Sequence, residues 1–320
     1  SKVKFDNLNL IIKNNSNKLA ELKKIKFSNF GYKKNLIHGE IFGRNFKVKM
    51  NENFDKINFY LINSGFSSEM NLNSNNKNNK ISGNFKTKIL STNIKFDFIY
   101  DNEKLKILNS YLRNKNLSLN SDSLVVLKPY LNITSNFLIE DINFDKLNSL
   151  DLDKILNSKD VIKMISSKNN LKFFSKKFRS DLIDELDLVV NLTYGNVDYK
   201  KKILISNNFF NCNGNINLLE EYPLLFFDCF FNIKNTQKFL KKFSINKKFK
   251  SNENNLHVQG SLNILNKKVN FLKISSNKNY KATKEELKYY KESFERIVFD
   301  KNFFKFFNLK KIKNFIFEIS

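Results

Sequence analysis

Leu186-Asp187-Leu188-Val189-Val190-Asn191-Leu192-Thr193-Tyr194 decides the fold class. Leu186, Leu188, Val190, Leu192 and Tyr194 occupy every second position, and the residues between them are mostly polar. A strand sends successive side chains to opposite faces, so period two places these five on one face. The pattern recurs upstream at Phe46, Val48 and Met50, at Ile57, Phe59 and Leu61, at Phe85, Thr87 and Ile89, and at Ile94, Phe96, Phe98 and Tyr100. Downstream it recurs at Leu256, Val258, Gly260, Leu262 and Ile264, and Val269 and Phe271 begin a return strand. The alternate positions are largely Lys, Asn and Ser, the pattern of an antiparallel sheet with one apolar and one wet face. Short polar breaks at Asp101-Asn102-Glu103-Lys104, Asn196-Val197-Asp198 and Asn266-Lys267-Lys268 suit hairpins. The fold expected is mainly β: a long curved antiparallel meander forming a groove, with a helical insert and C-terminal helices.

The insert is expected at about 145–165, where Leu147, Leu150, Ile155, Leu156, Val161, Ile162 and Ile165 follow helical spacing. This divides the chain into an N-terminal meander over 1–140, a helical insert over 141–185, and a β region over 186–320 continuous with the first sheet. Asn235 to Leu240 reads as a short capped helix. Thr283-Lys284-Glu285-Glu286 is a capping box leading into Leu287, Tyr290, Phe294 and Ile297 at helical spacing. A second short helix is expected over 300–309 and a closing strand over Phe315 to Ile319. The polar stretches Asn71 to Lys80 and Asn246 to Asn255 read as loops.

Composition narrows the function classes. With 320 residues and 41% hydrophobic residues, the chain can bury a sizeable core and is not disordered overall. The net charge of +25 raises the question of a phosphate-bearing partner. Yet of 56 basic residues only Arg44, Arg113, Arg179 and Arg296 are arginine. Nucleic-acid interfaces favour the planar arginine fork, so the charge reads as a solvated lysine surface and argues against a nucleic-acid partner. A basic, ribosomal-like nucleic-acid-binding protein stays open as the alternative, and a structural β scaffold as a third reading.

No sequence pattern carries catalysis. There is no GxSxG, phosphate-binding loop, HExxH or CxxC, so the expectation is a non-enzymatic chain without cofactor or metal. His38 and His257 lie far apart, and the acidic pairs Glu140-Asp141, Asp184-Glu185 and Glu220-Glu221 sit at element boundaries. Cys212 and Cys229 are expected to be two buried thiols on strands, with one disulfide as the reading for an oxidising compartment. Phe209-Phe210, Phe226-Phe227, Phe230-Phe231, Phe303-Phe304 and Phe306-Phe307 each place one ring on either face of a strand. The expectation for them is a sandwich core or a helical overlay. No stretch approaches the roughly 20 apolar residues of a membrane helix; the sequence does not open on a charged-then-apolar signal peptide, and its start without Met suits a mature form or a fragment.

A weak repeat adds one more observation. Gly39-Glu40-Ile41, Gly83-Asn84-Phe85, Gly214-Asn215-Ile216 and Gly260-Ser261-Leu262 each place a glycine, a polar and an apolar residue in a strand pattern. The segments Gly83–Ile89, Gly214–Leu219 and Gly260–Leu265, with the hairpins between them and no catalytic motif, resemble the AsmA-like (AsmA/TamB-related) family of bacterial envelope proteins. Gly214 to Leu219, continuing through Tyr222-Pro223-Leu224, looks most like that family's C-terminal repeat region. The resemblance implies a periplasmic protein anchored in the inner membrane by an N-terminal segment missing from this sequence. It implies a long β groove that shields phospholipid acyl chains, supporting transport between inner and outer membrane or outer-membrane homeostasis. The family has no catalytic residues to carry over. The groove candidates are the inward positions Phe85, Ile89, Ile94, Phe96, Phe98, Leu188, Val190, Leu192, Val258 and Leu262, with a phospholipid or other acyl-chain ligand as partner.

Overall fold

The computed structural model describes residues 2–14, 17–32, 34–75, 80–115, 117–142, 159–174, 183–243, 245, 254–276, 280–299 and 309–319. The chain is mainly β, and its strands pair largely antiparallel. It divides into two compact units, residues 1–124 and 125–320.

Unit 1 is a run of hairpins. Its strands are β1 (Lys4–Asn14), β2 (Asn17–Ser28), β3 (Leu36–Ile41), β4 (Arg44–Met50), β5 (Lys56–Leu61), β6 (Phe66–Asn75), β7 (Lys80–Ile89), β8 (Thr92–Asp101), β9 (Lys104–Arg113) and β10 (Leu117–Val126). From β1 to β9 each strand pairs antiparallel with the next. Ser110 Oγ donates to Ser121 O on β10. The turns follow the expected chemistry. Asn102 and Glu103 both take positive φ in the two-residue turn between Asp101 and Lys104, as the twist of flanking strands requires. Register shifts interrupt the ladder, among them one beside Lys24 and one beside Asn109, each of these residues at positive φ.

Unit 2 contains β11 (Leu131–Ile142), a single helical turn α1 (Lys159–Ile162), β12 (Ile165–Phe174), β13 (Glu185–Thr193), β14 (Asn196–Ile205), β15 (Asn208–Asn217) and β16 (Leu224–Ile233). The helix α2 (Thr236–Lys242), strands β17 (Asn254–Asn263) and β18 (Lys268–Ser276), and helices α3 (Lys284–Val298) and α4 (Leu309–Ile319) complete it. β11 and β12 run parallel, and every pair from β12 to β18 is antiparallel. A parallel step needs a crossover, and the residues between β11 and β12 supply the length for one.

Several local expectations change here. Within the segment read as a helical insert, α1 is helical, Ile165–Phe174 is strand, and residues 143–158 lie outside the described residues. The alternation of Ile165, Ser167, Asn169, Leu171 and Phe173 is too polar to stand out as a strand without its neighbours. The turn after β13 is Tyr194-Gly195, both at positive φ, so Asn196, Val197 and Asp198 already belong to β14. The polar stretch after Asn71 continues β6 to Asn75, and β7 begins at Lys80. Likewise Asn254 and Asn255 open β17. Phe315 to Ile319 is helical, part of α4, because Ile312, Phe315, Ile316 and Ile319 also form a helical stripe. The helix expected over 300–309 lies outside the described residues up to 308.

The capping box of α3 forms as its residues dictate. Glu286 N–H donates to Thr283 Oγ1 at 3.2 Å, and Thr283 N–H donates to Glu286 Oε2 at 2.7 Å. The same helix packs on β18, where Val269 N–H donates to Glu295 Oε1 at 2.9 Å. α4 is held against α3 by Glu318, which accepts from Ser293 and Arg296, and by the edge contact of Phe294 with Phe315 at 5.2 Å.

The glycine repeat has a shared structural cause. In the registers Gly39 lies opposite Phe46, Gly83 opposite Phe98, Gly214 opposite Tyr199, and Gly260 opposite Phe227. A Cβ at Gly83 would stand 2.1 Å from Asn71 O and 3.0 Å from the Phe98 ring. A Cβ at Gly214 would stand 2.2 Å from Phe226 O and 2.4 Å from the Tyr199 ring. Each glycine lets an aromatic ring from a neighbouring strand lie over the backbone, the cross-strand device by which rings shield glycine in a sheet.

Candidate functional site

Register, not sequence distance, assembles the candidate face in unit 1. Phe46, Leu61, Phe66, Ile89 and Thr92 stand directly across from one another on successive strands. Beside them runs the row Met50, Ile57, Met70, Phe85 and Phe96, and beyond it Leu72, Gly83, Phe98 and Ile107. Val48, Phe59, Ser68, Thr87, Ile94 and Leu112 complete the surface. These rows carry no charged side chain. The Thr87 hydroxyl is satisfied by donating to Ser67 O at 3.0 Å. Lys47, Lys49, Glu69, Lys86, Lys88 and Lys95 alternate with these positions and therefore point to the opposite face.

Aromatic pairs run across this surface. Phe46 stacks on Phe59 at 5.7 Å, and Phe59 meets Phe66 edge-on at 5.6 Å. Phe85 stacks on Phe96 at 5.0 Å, and Phe96 meets Phe98 at 6.4 Å. Phe46 is buried, at 2% exposure, but Phe59, Phe85, Phe96 and Phe98 are only half-buried, and Ile89 is 41% exposed. Unit 1 has no helix among its described residues, and none of its described elements lies over this face. The rings cover one another sideways, and no other described element of unit 1 covers them.

The face in unit 2 is built in the same way but is partly roofed. Leu171, Leu188, Lys201, Cys212, Cys229, Val258 and Ile274 form one row across seven strands. Asn169, Val190, Tyr199, Gly214, Phe227, Gly260 and Phe271 form the next. Leu192 continues through Val197 to Ile216, and Leu225 through Leu262 to Val269. At the other end of the strands α2 and the residues after it close the face. Phe239, Leu240, Phe243 and Ile245 pack on Ile205 and Phe210, with Phe231, Ile233 and Ile316 around them. Buried Asn208 positions this helix by donating to Ile205 O at 2.8 Å while accepting from Asn235 N–H at 3.3 Å. Over β18, Phe294 of α3 meets Phe271 at 5.9 Å.

The expected groove residues therefore fall into two sets. Phe85, Ile89, Ile94, Phe96 and Phe98 share the apolar face of unit 1. Leu188, Val190, Leu192, Val258 and Leu262 share that of unit 2. Phe46, Phe59 and Phe66 join the first set, although the same alternation displays two of them in the sequence. Tyr199 and Lys201 join the second. Lys201 is the middle of the run Lys200-Lys201-Lys202, and only the parity of Val197, Tyr199, Lys201 and Ile203 marks it as inward.

Cys212 and Cys229 are disulfide-bonded across β15 and β16, with Cα atoms 4.1 Å apart, which corrects the expectation of two free thiols. The register explains it: the hairpin sets the two residues directly opposite on the same face. The phenylalanine doublets divide as a strand requires. Phe210 and Phe231 face the helical overlay, while Phe209, Phe226 and Phe230 lie on the opposite face at 46%, 47% and 50% exposure. Phe303 to Phe307 lie outside the described residues.

No family model, curated protein or solved structure matches this chain.

Electrostatics separate the two faces of unit 2. Burial holds the Lys201 ammonium below the ordinary lysine pKa and pushes the Tyr199 phenol up. On the opposite face, Asp228 accepts from Gln259 Nε2 at 2.8 Å and lies 2.7 Å from His257 Nε2. Burial acts to raise the Asp228 pKa, but these hydrogen bonds and the nearby His257 and Lys273 charges outweigh it and leave it lowered. His257 in turn stacks on Phe230 at 4.0 Å. Asp184, one of the acidic pairs, serves structure: it accepts from Ser206 N–H and pairs with Lys242 at 3.2 Å. Among the described residues no cluster of His, Cys, Asp and Glu is placed to hold a metal.

Proposed function

We propose that this chain is an AsmA-like envelope protein without enzymatic activity that holds phospholipid acyl chains on its apolar sheet faces. It would thereby support lipid transport between inner and outer membrane or outer-membrane homeostasis. The observation that carries the reading is the charge-free face of unit 1, floored by half-buried phenylalanines and roofed by none of that unit's described elements. A contiguous apolar surface left open on a protein is a contact surface for something apolar. Each methylene that leaves water for such a surface gains up to about 0.8 kcal/mol, so a long acyl chain is a strong match. The cross-strand disulfide supports an oxidising compartment such as the periplasm. No described helix is long and apolar enough to cross a membrane, so the inner-membrane anchor of this reading lies outside the described helices.

The test is mass spectrometry of organic extracts from the purified chain after a high-salt wash. Retained phospholipid is expected, with loss in a folded variant carrying both Phe98→Asp and Val190→Asp. A lipid-free extract, with nucleic acid released in the wash, would overturn the reading in favour of a basic nucleic-acid-binding protein.

A further inference from the structure

Resting on the acyl-lipid reading, we propose that Lys201 anchors the phosphodiester anion of a phospholipid whose tails lie on the apolar rows beside it. Lys201 is the one charged side chain among the register-paired positions on the inward face of β12 to β18. It stands between Leu188 and Cys212 in its row and between Tyr199 and Ile203 along its strand. It has no ion pair among the described residues. An ammonium held against apolar surface without a counter-charge is costly, and an anion arriving from outside relieves that cost.

The chemistry of the surroundings selects the ligand. Tyr199 projects from the same face about 7 Å along β14, two strand positions away. Its phenol is protonated at neutral pH as in any tyrosine, and burial raises its pKa further, leaving a neutral hydrogen-bond donor beside the ammonium. One cation and one donor amid apolar rows match an amphiphile with a single anionic group. A phosphodiester, whose intrinsic pKa lies far below neutrality, keeps its charge even where burial disfavours it. Inorganic phosphate would leave the apolar rows unused.

The experiment uses the full chain, Lys201→Met, Lys201→Gln and Lys201→Arg. Calorimetric titration measures binding of diheptanoyl phosphatidylglycerol, diheptanoylglycerol and inorganic phosphate, and chemical denaturation monitors folding. The full chain should bind phosphatidylglycerol. Lys201→Met and Lys201→Gln should weaken that binding by about tenfold or more, the scale of a lost charge-assisted hydrogen bond. Lys201→Arg should retain it, and diheptanoylglycerol binding should be the same in all four proteins. Lys201→Met should unfold at a midpoint no lower than the parent, because a charge disfavoured by burial has been removed. Phosphatidylglycerol binding unchanged in both neutral variants overturns the anchor while leaving the acyl-lipid reading intact. Inorganic phosphate binding as tightly as phosphatidylglycerol overturns the choice of a lipid ligand. Failure of the parent chain to bind either acyl compound overturns the acyl-lipid reading and the anchor with it.

Discussion

Reducing the Cys212–Cys229 disulfide without changing the sequence isolates its contribution to unit 2. The bond closes a loop with a sequence separation of 17. Loop-closure entropy for a chain of that length corresponds to about 3 kcal/mol at 25 °C. The two residues already face each other across a paired hairpin, so the reduced protein can keep the same register and packing. Most of the effect should therefore appear through the unfolded state. The assay is urea denaturation of the native chain with and without a phosphine reductant, followed by tyrosine fluorescence. With a slope of about 2 kcal/mol per molar urea, the transition of unit 2 should fall by about 1.5 M. Any separate transition of unit 1, which contains no cysteine, should not move. Two alkylated cysteines in the unreduced protein, or a unit 2 midpoint indifferent to the reductant, would refute the reasoning.

Gly83→Ala should destabilise unit 1 by about 1–3 kcal/mol through overpacking, because the new methyl meets Asn71 O at 2.1 Å; an unchanged denaturation midpoint would contradict the proposed role of the glycine. Thr283→Ala should cost about 1 kcal/mol and speed amide exchange in the first turn of α3, since Glu286 N–H loses its acceptor. Asp228 has a folded pKa below its unfolded value, so its contribution is present at neutral pH and fades as pH falls through the folded pKa, below about pH 4. Its side chain is 40% exposed, which limits that contribution to about 0.5 kcal/mol after solvent screening. Thermal melts of the parent and Asp228→Asn should therefore converge as pH is lowered from 6 to about 3, and a constant gap would count against the hydrogen-bonded carboxylate.

The strand pattern was legible where apolar residues alternate with polar ones, as from Leu186 to Tyr194 or Ile94 to Tyr100. It was hidden where inward positions are themselves polar: Ser167 and Asn169 of β12 become legible only against Leu192 and Val190 of β13. The capping box of α3 was readable because both hydrogen bonds join residues three apart. The disulfide was not, because 17 residues of separation reveal nothing until the register sets the cysteines opposite one another. The candidate face followed the same rule. Phe96 and Phe98 declare their side by parity, but Lys201 resembles its neighbours Lys200 and Lys202 until Leu188 and Cys212 are found beside it. Local chemistry specifies which way a residue points, and pairing specifies what it meets there.

The claim that one sheet face carries lipid is tested most directly by parity along β8. A photoreactive benzoylphenylalanine is placed singly at Lys95, Phe96, Asp97 and Phe98, and the protein is irradiated in cells before the adducts are analysed by mass spectrometry. The account predicts phospholipid adducts at 96 and 98 and none at 95 and 97. Equal labelling at all four positions, or adducts confined to 95 and 97, would contradict it.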